Sequence, residues 1–256
     1  MPESAVNKMM VECFAGAPQS GKTERLVRRA CELAQDGSRV AFVCARFGDV
    51  VPARERLAAY GADGVFATTA RQLSLDVLAT SQARGLFGRA PRVLEPYEEQ
   101  LLLEDLKVSQ MRNRRLRQVL TYLYAGWENL SDETWETTPE EDVVIARLDD
   151  NLRFYGGVLA CEASNLALKA LRLEGASPEP AWDFVVVDDY GLLNRASQHL
   201  VRALAGRGLV VSACTRPGLA GDDEYPCYEG AGVFLYGNRS TAKCMSGCNL
   251  GLDVTI

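Results

Sequence analysis

Eight residues near the start of the chain, Gly16-Ala17-Pro18-Gln19-Ser20-Gly21-Lys22-Thr23, follow the spacing G-x-x-x-x-G-K-[ST]. That spacing suits a polyphosphate. Glycines let the backbone wrap so that successive N–H groups and a helix N-terminus face the anion, the lysine reaches the β- and γ-phosphates, and the threonine hydroxyl ligates Mg²⁺. Glu24 and Arg25 open the following helix and complete the candidate nucleotide-binding run 16–25. The competing explanation is an ordinary strand-to-helix turn. Far along the chain, Asp188-Asp189-Tyr190 closes the apolar run Phe184-Val-Val-Val187. Two carboxylates are thereby expected at the C-terminal end of a buried strand, the edge where parallel sheets gather their ligands. With Lys22 they are the candidate catalytic residues: Asp188 would hold Mg²⁺ through water together with Thr23, and Asp189 is where a base orienting the attacking water would sit. Paired acids capping the next helix are the alternative.

Other chemistries are excluded or weakly indicated. His199 is the only histidine, which rules out histidine triads with a second imidazole and two-histidine zinc motifs. The eight cysteines (Cys13, Cys31, Cys44, Cys161, Cys214, Cys227, Cys244 and Cys248) are scattered without a Cys-x-x-Cys. In a chain of this size with no export signal at its start they read as reduced thiols. The last four fit no common zinc module. With 28 Lys+Arg against 34 Asp+Glu the net charge is −6, so a uniformly basic nucleic-acid coat is excluded while a local basic stripe is not. No apolar run approaches the roughly 18 residues of a membrane span, so a cytoplasmic protein is expected.

The elements that must position these residues follow from hydrophobic periodicity. Val11–Ala15 reads as a strand, 16–23 as a loop and 24–35 as a helix with apolar residues at Leu26, Val27, Ala30, Leu33 and Ala34. Strands over 40–44 and 64–68 alternate with helices over 51–60 and 70–79, the rhythm of a parallel α/β sheet. From about 80 to 180 the pattern becomes helical, over 96–110, 116–129, 140–153 and 157–174. The sheet resumes with a strand over 182–188, a helix over 194–205 and a strand over 208–212. Beyond Thr215 the chain is glycine-rich, with 232–236 as a plausible last strand.

Several segments, taken in order, resemble the UvrD/Rep/PcrA-type superfamily 1 DNA helicases and, more loosely, AddB-type helicase-like proteins. Ala15-Gly-Ala-Pro-Gln-Ser-Gly-Lys-Thr23 is similar to that family's AGAGSGKT loop, and the stretch from Val40 through Arg46 to Leu57 to its TFTNKAAxEMxxRL segment. Phe66-Ala-Thr-Thr-Ala-Arg-Gln-Leu73 resembles TFHSL, which touches single-stranded DNA. Val93 to Leu103 resembles the opening of the family's helical insertion. Val185-Val-Val-Asp-Asp-Tyr190 with Asn194 resembles LVDEYQDTN, Tyr228-Glu-Gly-Ala231 resembles FRGA, and Gly237-Asn-Arg-Ser-Thr241 faintly resembles NYRST. The resemblance implies a P-loop NTPase with a RecA-like parallel sheet (residues 1–79 and 181–256) interrupted by a helical subdomain (80–180), binding ATP, Mg²⁺ and single-stranded DNA.

The chain departs from the family pattern at Asp189, where the family has glutamate, at Gly191, where it has a γ-phosphate-sensing glutamine, and at Ser212-Ala-Cys-Thr-Arg216, where it has GDxxQ. The short segment before the first strand leaves out the adenine-reading glutamine motif. These departures imply retained nucleotide binding with weakened hydrolysis. Two readings follow: an ATP-binding region of a helicase whose second RecA-like lobe lies elsewhere, or a nucleotide-binding interaction module, as in an AddB-like nuclease subunit.

DNA contacts are expected at Thr68, Arg71 and Gln72 by resemblance, and in the basic run Lys107, Arg112, Arg114, Arg115 and Arg117, which precedes a stretch over 118–146 with seven acids and no Lys or Arg. A solvated helix face accounts for such a run equally well. Tyr122, Tyr124 and Trp127 suit base stacking or, as aromatics at helical spacing, a core.

Overall fold

The computed structural model describes residues 10–107, 111–172, 181–214 and 242–244. By contacts the chain divides into two compact units: Met1–Ala70 with Pro178–Asn194 and Val201–Ile256, and Arg71–Ser177 with Arg195–Leu200.

The first unit is α/β. Its strands are β1 (Met10–Gly16), β2 (Val40–Cys44), β3 (Phe66–Thr69), β4 (Trp182–Val187), β5 (Ala205–Cys214) and the short β6 (Ala242–Cys244). They lie in the order β3-β2-β4-β5-β1-β6, and every pairing is parallel. This arrangement of parallel strands flanked by helices is consistent with a RecA-like layout. β2 (VAFVC) is buried at every residue, as is the FVVV run of β4, because a parallel sheet is covered on both faces and its strands need apolar side chains on both. Helix α1 (Lys22–Gln35) lays Leu26, Val27, Ala30 and Leu33 on Val40 and Phe42 of β2, Val186 of β4 and Val210 of β5. It stops at Asp36-Gly37, where left-handed Gly37 (φ 79°) and Ser38 return N–H groups to the carbonyls of Ala34 and Leu33. Helix α2 (Val50–Ala59) adds Ala53 and Leu57 to the same core.

The second unit is helical. Besides most of α3 (Ala70–Leu78) it contains α4 (Ser81–Phe87), α5 (Pro96–Leu106), α6 (Asn113–Asn129), α7 (Pro139–Tyr155) and α8 (Ala163–Leu171). Helix α9 (Arg195–Leu204) begins in this unit, and its residues from Val201 count with the sheet. A leucine-rich core joins Leu102 and Leu106 of α5, Leu116, Leu120 and Leu123 of α6, and Leu148 and Leu152 of α7, each such side chain contributing about 1.5–3 kcal/mol. Proline at the first position and a reciprocal capping box start both α5 (Glu95 with Glu98) and α7 (Thr138 with Glu141). Among the described residues no helix is long and apolar enough to cross a membrane.

Several boundaries differ from the sequence reading. The expected helix over 157–174 begins only at Ala163. Gly156 ends α7 in the left-handed region, and Val158 is extended, giving its N–H to Arg92 and taking the N–H of Leu94. Gly157 permits this approach, since a Cβ there would lie 2.5 Å from Leu94 Cδ2. The third strand starts two residues late, at Phe66, because Val65 is held in a turn by Ala62. Helix α4 was not anticipated: its one buried side chain is Ala83, too little for a period, and Thr80 caps it. The 232–236 strand lies outside the described residues, as do the Tyr228–Ala231 and Gly237–Thr241 segments, while β6 pairs beside β1.

Candidate functional site

Because all strands run the same way, the ends of β1, β2, β4 and β5 share one edge of the sheet, and that edge carries the loop after β1 and the acid pair after β4. β1 ends at Gly16, the loop runs through exposed Pro18, Gln19, Ser20 and Gly21, and α1 begins at Lys22. Gln19 (φ 62°) and Gly21 (φ 79°) are both left-handed. Such alternation of backbone hand is what builds an anion-binding nest of N–H groups ahead of a helix. Ser20 folds back over Gly16, so that a Cβ on Gly16 would lie 2.5 Å from Ser20 Oγ and the serine hydroxyl would have to turn away. The Lys22 ammonium lies across the loop, donating to the carbonyls of Ala17 (2.8 Å) and Gly16 (3.1 Å).

β1 and β4 are not neighbours; β5 lies between them, so their axes are about 10 Å apart, two strand spacings. The first turn of α1 nevertheless meets the end of β4. Thr23 Oγ1 donates to Asp188 Oδ2 at 2.7 Å, joining residues 165 positions apart. The other oxygen, Asp188 Oδ1, accepts from Ser212 Oγ at 2.8 Å and from the Asp189 N–H at 3.1 Å. Asp189 is left-handed (φ 49°, ψ 50°), and its N–H also donates to Ser212 Oγ at 2.8 Å. Partial desolvation and the Asp188 charge push the Asp189 carboxyl above the usual carboxylate range, with Lys22 and Arg46 pulling the other way. Burial, assisted by Asp188 and Asp49, pushes the nearby Cys44 thiol up to about 12, so it is no nucleophile at neutral pH.

Glu24 and Arg25 take different parts. Glu24 accepts from the Tyr60 hydroxyl and from Arg28 Nε (3.2 Å), and the tyrosine bond lowers its pKa; the Arg28 guanidinium lies over the Tyr60 ring. Glu24 is therefore tied to the body of the unit. Arg25 is exposed beside it.

Of the DNA-contact candidates, Thr68 is buried in β3, paired in register with Val43, and presents little surface. Arg71 and Gln72 are exposed at the start of α3, where Gln72 donates to Asp76. Arg112 and Arg114 are exposed at the N-terminal end of α6, and Arg117 one turn on. Arg115 is committed elsewhere: it pairs with the buried Glu141 of the α7 capping box and donates to Gln118. Lys107 pairs with Glu104. Tyr124 and Trp127 stack on each other against the helical core, and burial raises the Tyr124 hydroxyl pKa, whereas Tyr122 is exposed and its hydroxyl accepts from Gln118.

The fourth member of the cluster, Ser212, was not among the candidate residues. Its sign in the sequence is a hydroxyl inside the apolar run Leu209-Val-Val-Ser212-Ala: a polar group on a fully covered strand needs a partner, and here that partner is the acid pair. Among the described residues no group of three His, Cys, Asp or Glu side chains converges as a metal cage; Cys227 and Cys248 lie outside those residues. The oxygen pair Thr23 and Asp188 instead suits a hard cation such as Mg²⁺, which takes one or two protein oxygens and fills its remaining positions with phosphate and water. The chain matches no protein-family model and no curated protein, and its own geometry carries the functional reading.

Proposed function

We propose that this chain binds ATP or ADP with Mg²⁺ at residues 16–25, as the nucleotide-binding part of a UvrD-like DNA helicase system. One observation carries the reading: Thr23 and Asp188, the two residues that hold the metal in phosphate-loop NTPases, are hydrogen-bonded beside Lys22 although distant in sequence. An ordinary strand-to-helix turn gives no reason for that convergence. The loop N–H groups and the N-terminus of α1 receive the phosphates, and Lys22 exchanges its two carbonyl partners for phosphate oxygens. Thr23 and Asp188 hold Mg²⁺, which supplies neutralisation of the phosphate charge. Asp189 orients the attacking water, and its carboxyl is one methylene shorter than the glutamate of the helicases. Hydrolysis is correspondingly slow, since an ångström of misplacement costs about a hundredfold in such a step. Single-stranded DNA contacts the exposed cations Arg71, Arg112, Arg114 and Arg117.

The second reading, a nucleotide-binding interaction module with decayed turnover, is favoured by the left-handed backbone of Asp189 and by Gly191, which has no side chain to sense a γ-phosphate. Both readings require nucleotide binding, and turnover separates them. Calorimetric titration of the chain with Mg-ATP should give saturable binding at one site. A flat titration up to millimolar nucleotide would refute both.

A further inference from the structure

Ser212 belongs to neither the loop nor the acid pair, yet its hydroxyl bonds to the Asp188 carboxylate and to the backbone N–H of Asp189. It is fully buried in β5, the strand inserted between β1 and β4. Its Oγ donates to Asp188 Oδ1 and accepts from the Asp189 N–H, each at 2.8 Å, so donor and acceptor capacity are used in opposite directions by neighbouring residues. We infer that Ser212 is the positioning residue that makes nucleotide binding at this site depend on Mg²⁺, by holding Asp188 with one oxygen turned toward Thr23.

An aspartate at a strand end rotates freely about its last torsion, and each orientation offers a different oxygen to a cation. Here Oδ1 is held by two donors, Ser212 Oγ and the Asp189 N–H, which leaves Oδ2 facing Thr23 Oγ1 at 2.7 Å. The oxygen that shares a cation with Thr23 is thus selected from β5, not from the loop. The same serine accepts the amide of Asp189, a non-glycine residue in the left-handed region. That conformation persists only where neighbours hold it. One hydroxyl therefore sets the aim of the metal carboxylate and the backbone of the acid that follows. Ser212 acts through Asp188, since both directions of its hydroxyl are taken by Asp188 Oδ1 and the Asp189 N–H.

The inference rests on the nucleotide reading above, and its test separates the two. Affinity for a fluorescent ADP analogue is measured in excess Mg²⁺ and in EDTA for the wild type, Ser212→Ala and Ser212→Thr. In EDTA the loop and Lys22 act without a cation, so all three should bind alike. In Mg²⁺ the wild type should tighten, and the Ala variant should lose about tenfold or more of that gain, the size of one hydrogen bond to a charged group. The Thr variant, which keeps the hydroxyl, should recover most of it. If Ser212→Ala does not fold, Ser212→Cys, similar in volume but a weak donor, carries the same comparison. An Mg²⁺ gain unchanged in the Ala or Cys variant would overturn the role of Ser212, and so would a loss of equal size in EDTA and Mg²⁺, which marks a fold defect. A wild type that binds nucleotide in neither condition would instead overturn the nucleotide reading.

Discussion

Replacing Lys22 with alanine is the sharpest test of the loop, and its size follows from what the lysine already touches. The ammonium donates to the Gly16 and Ala17 carbonyls, so a nucleotide does not find an unpartnered charge; it must draw the side chain from those two bonds. A unit charge about 4 Å from a phosphate oxygen at an effective dielectric near 20 is worth about 4 kcal/mol. Surrendering two carbonyl bonds costs about 0.5–1.5 kcal/mol each, and solvent reaching the half-buried Ala17 replaces part of it. Lys22→Ala should then weaken nucleotide affinity by about 2–3 kcal/mol, or roughly 30- to 150-fold in Kd. Removing it should leave the fold intact, because the turn keeps its own Ser20 to Ala17 and Arg25 to Gly21 bonds. Calorimetric titration of wild type and Lys22→Ala with Mg-ATP, paired with thermal melts, reads both quantities. Equal melting temperatures with affinities within threefold of each other would refute the placement of phosphate against this lysine.

Asp189→Glu should raise steady-state phosphate release, but by less than the reach of the longer side chain alone allows. Asp tolerates the left-handed backbone found here better than Glu, and the strain of about 1 kcal/mol offsets part of the recovered hundredfold, leaving about twentyfold at most; turnover no greater than wild type would count against Asp189 as the water-orienting acid. Replacing Arg112, Arg114 and Arg117 together should weaken single-stranded DNA binding in fluorescence anisotropy and flatten its salt dependence by about 0.7 per lost phosphate contact, and an unchanged slope would return this run to a solvated helix face. Arg115→Ala should instead lower stability without changing that slope, since it removes the cation paired with a buried carboxylate and leaves it only the Thr138 bond of the capping box. His199 is held below its ordinary pKa of 6.5 by burial, with Arg195 and Arg172 adding to the effect. It stays neutral in the fold while the unfolded chain takes up a proton, so stability falls as pH drops below 6.5 toward the folded value. As the sole histidine it gives a single imidazole titration by NMR, and a midpoint at or above 6.5 would contradict the structure.

How much of this was legible in the sequence depends on the range of the interaction involved. The β2 run Val40–Cys44 and the apolar stripe of α1 were readable because burial on both faces of a parallel strand, or along one stripe of a helix, leaves a periodic mark. The glycine-rich turn with its lysine and threonine was readable because those residues are neighbours in the chain. The capping boxes at 95–98 and 138–141 are equally local, but the periodicity reading did not use them, and the second of these helices was expected one residue late, at 140. The extended backbone at Val158 was not readable, because its partners Arg92 and Leu94 are more than sixty residues away and the local pattern favours helix.

The sequence by itself determined the chemical groups available: a lysine and a threonine after a glycine-rich turn, two adjacent acids after an apolar strand, one histidine, and a basic run in a chain that is acidic as a whole. Only the tertiary structure decided which of them meet. Thr23 reaches Asp188 because the sheet order sets β1 and β4 two strands apart with α1 packed across the gap. Ser212 joins them because the strand between is β5, a choice that no local periodicity records. Arg115 leaves the set of free cations because α7 presents Glu141 to it, although it is exposed like Arg112 and Arg114 beside it. In each case the deciding partner is distant in the chain, and a bond to a distant partner leaves no periodic trace in the residues on either side of it.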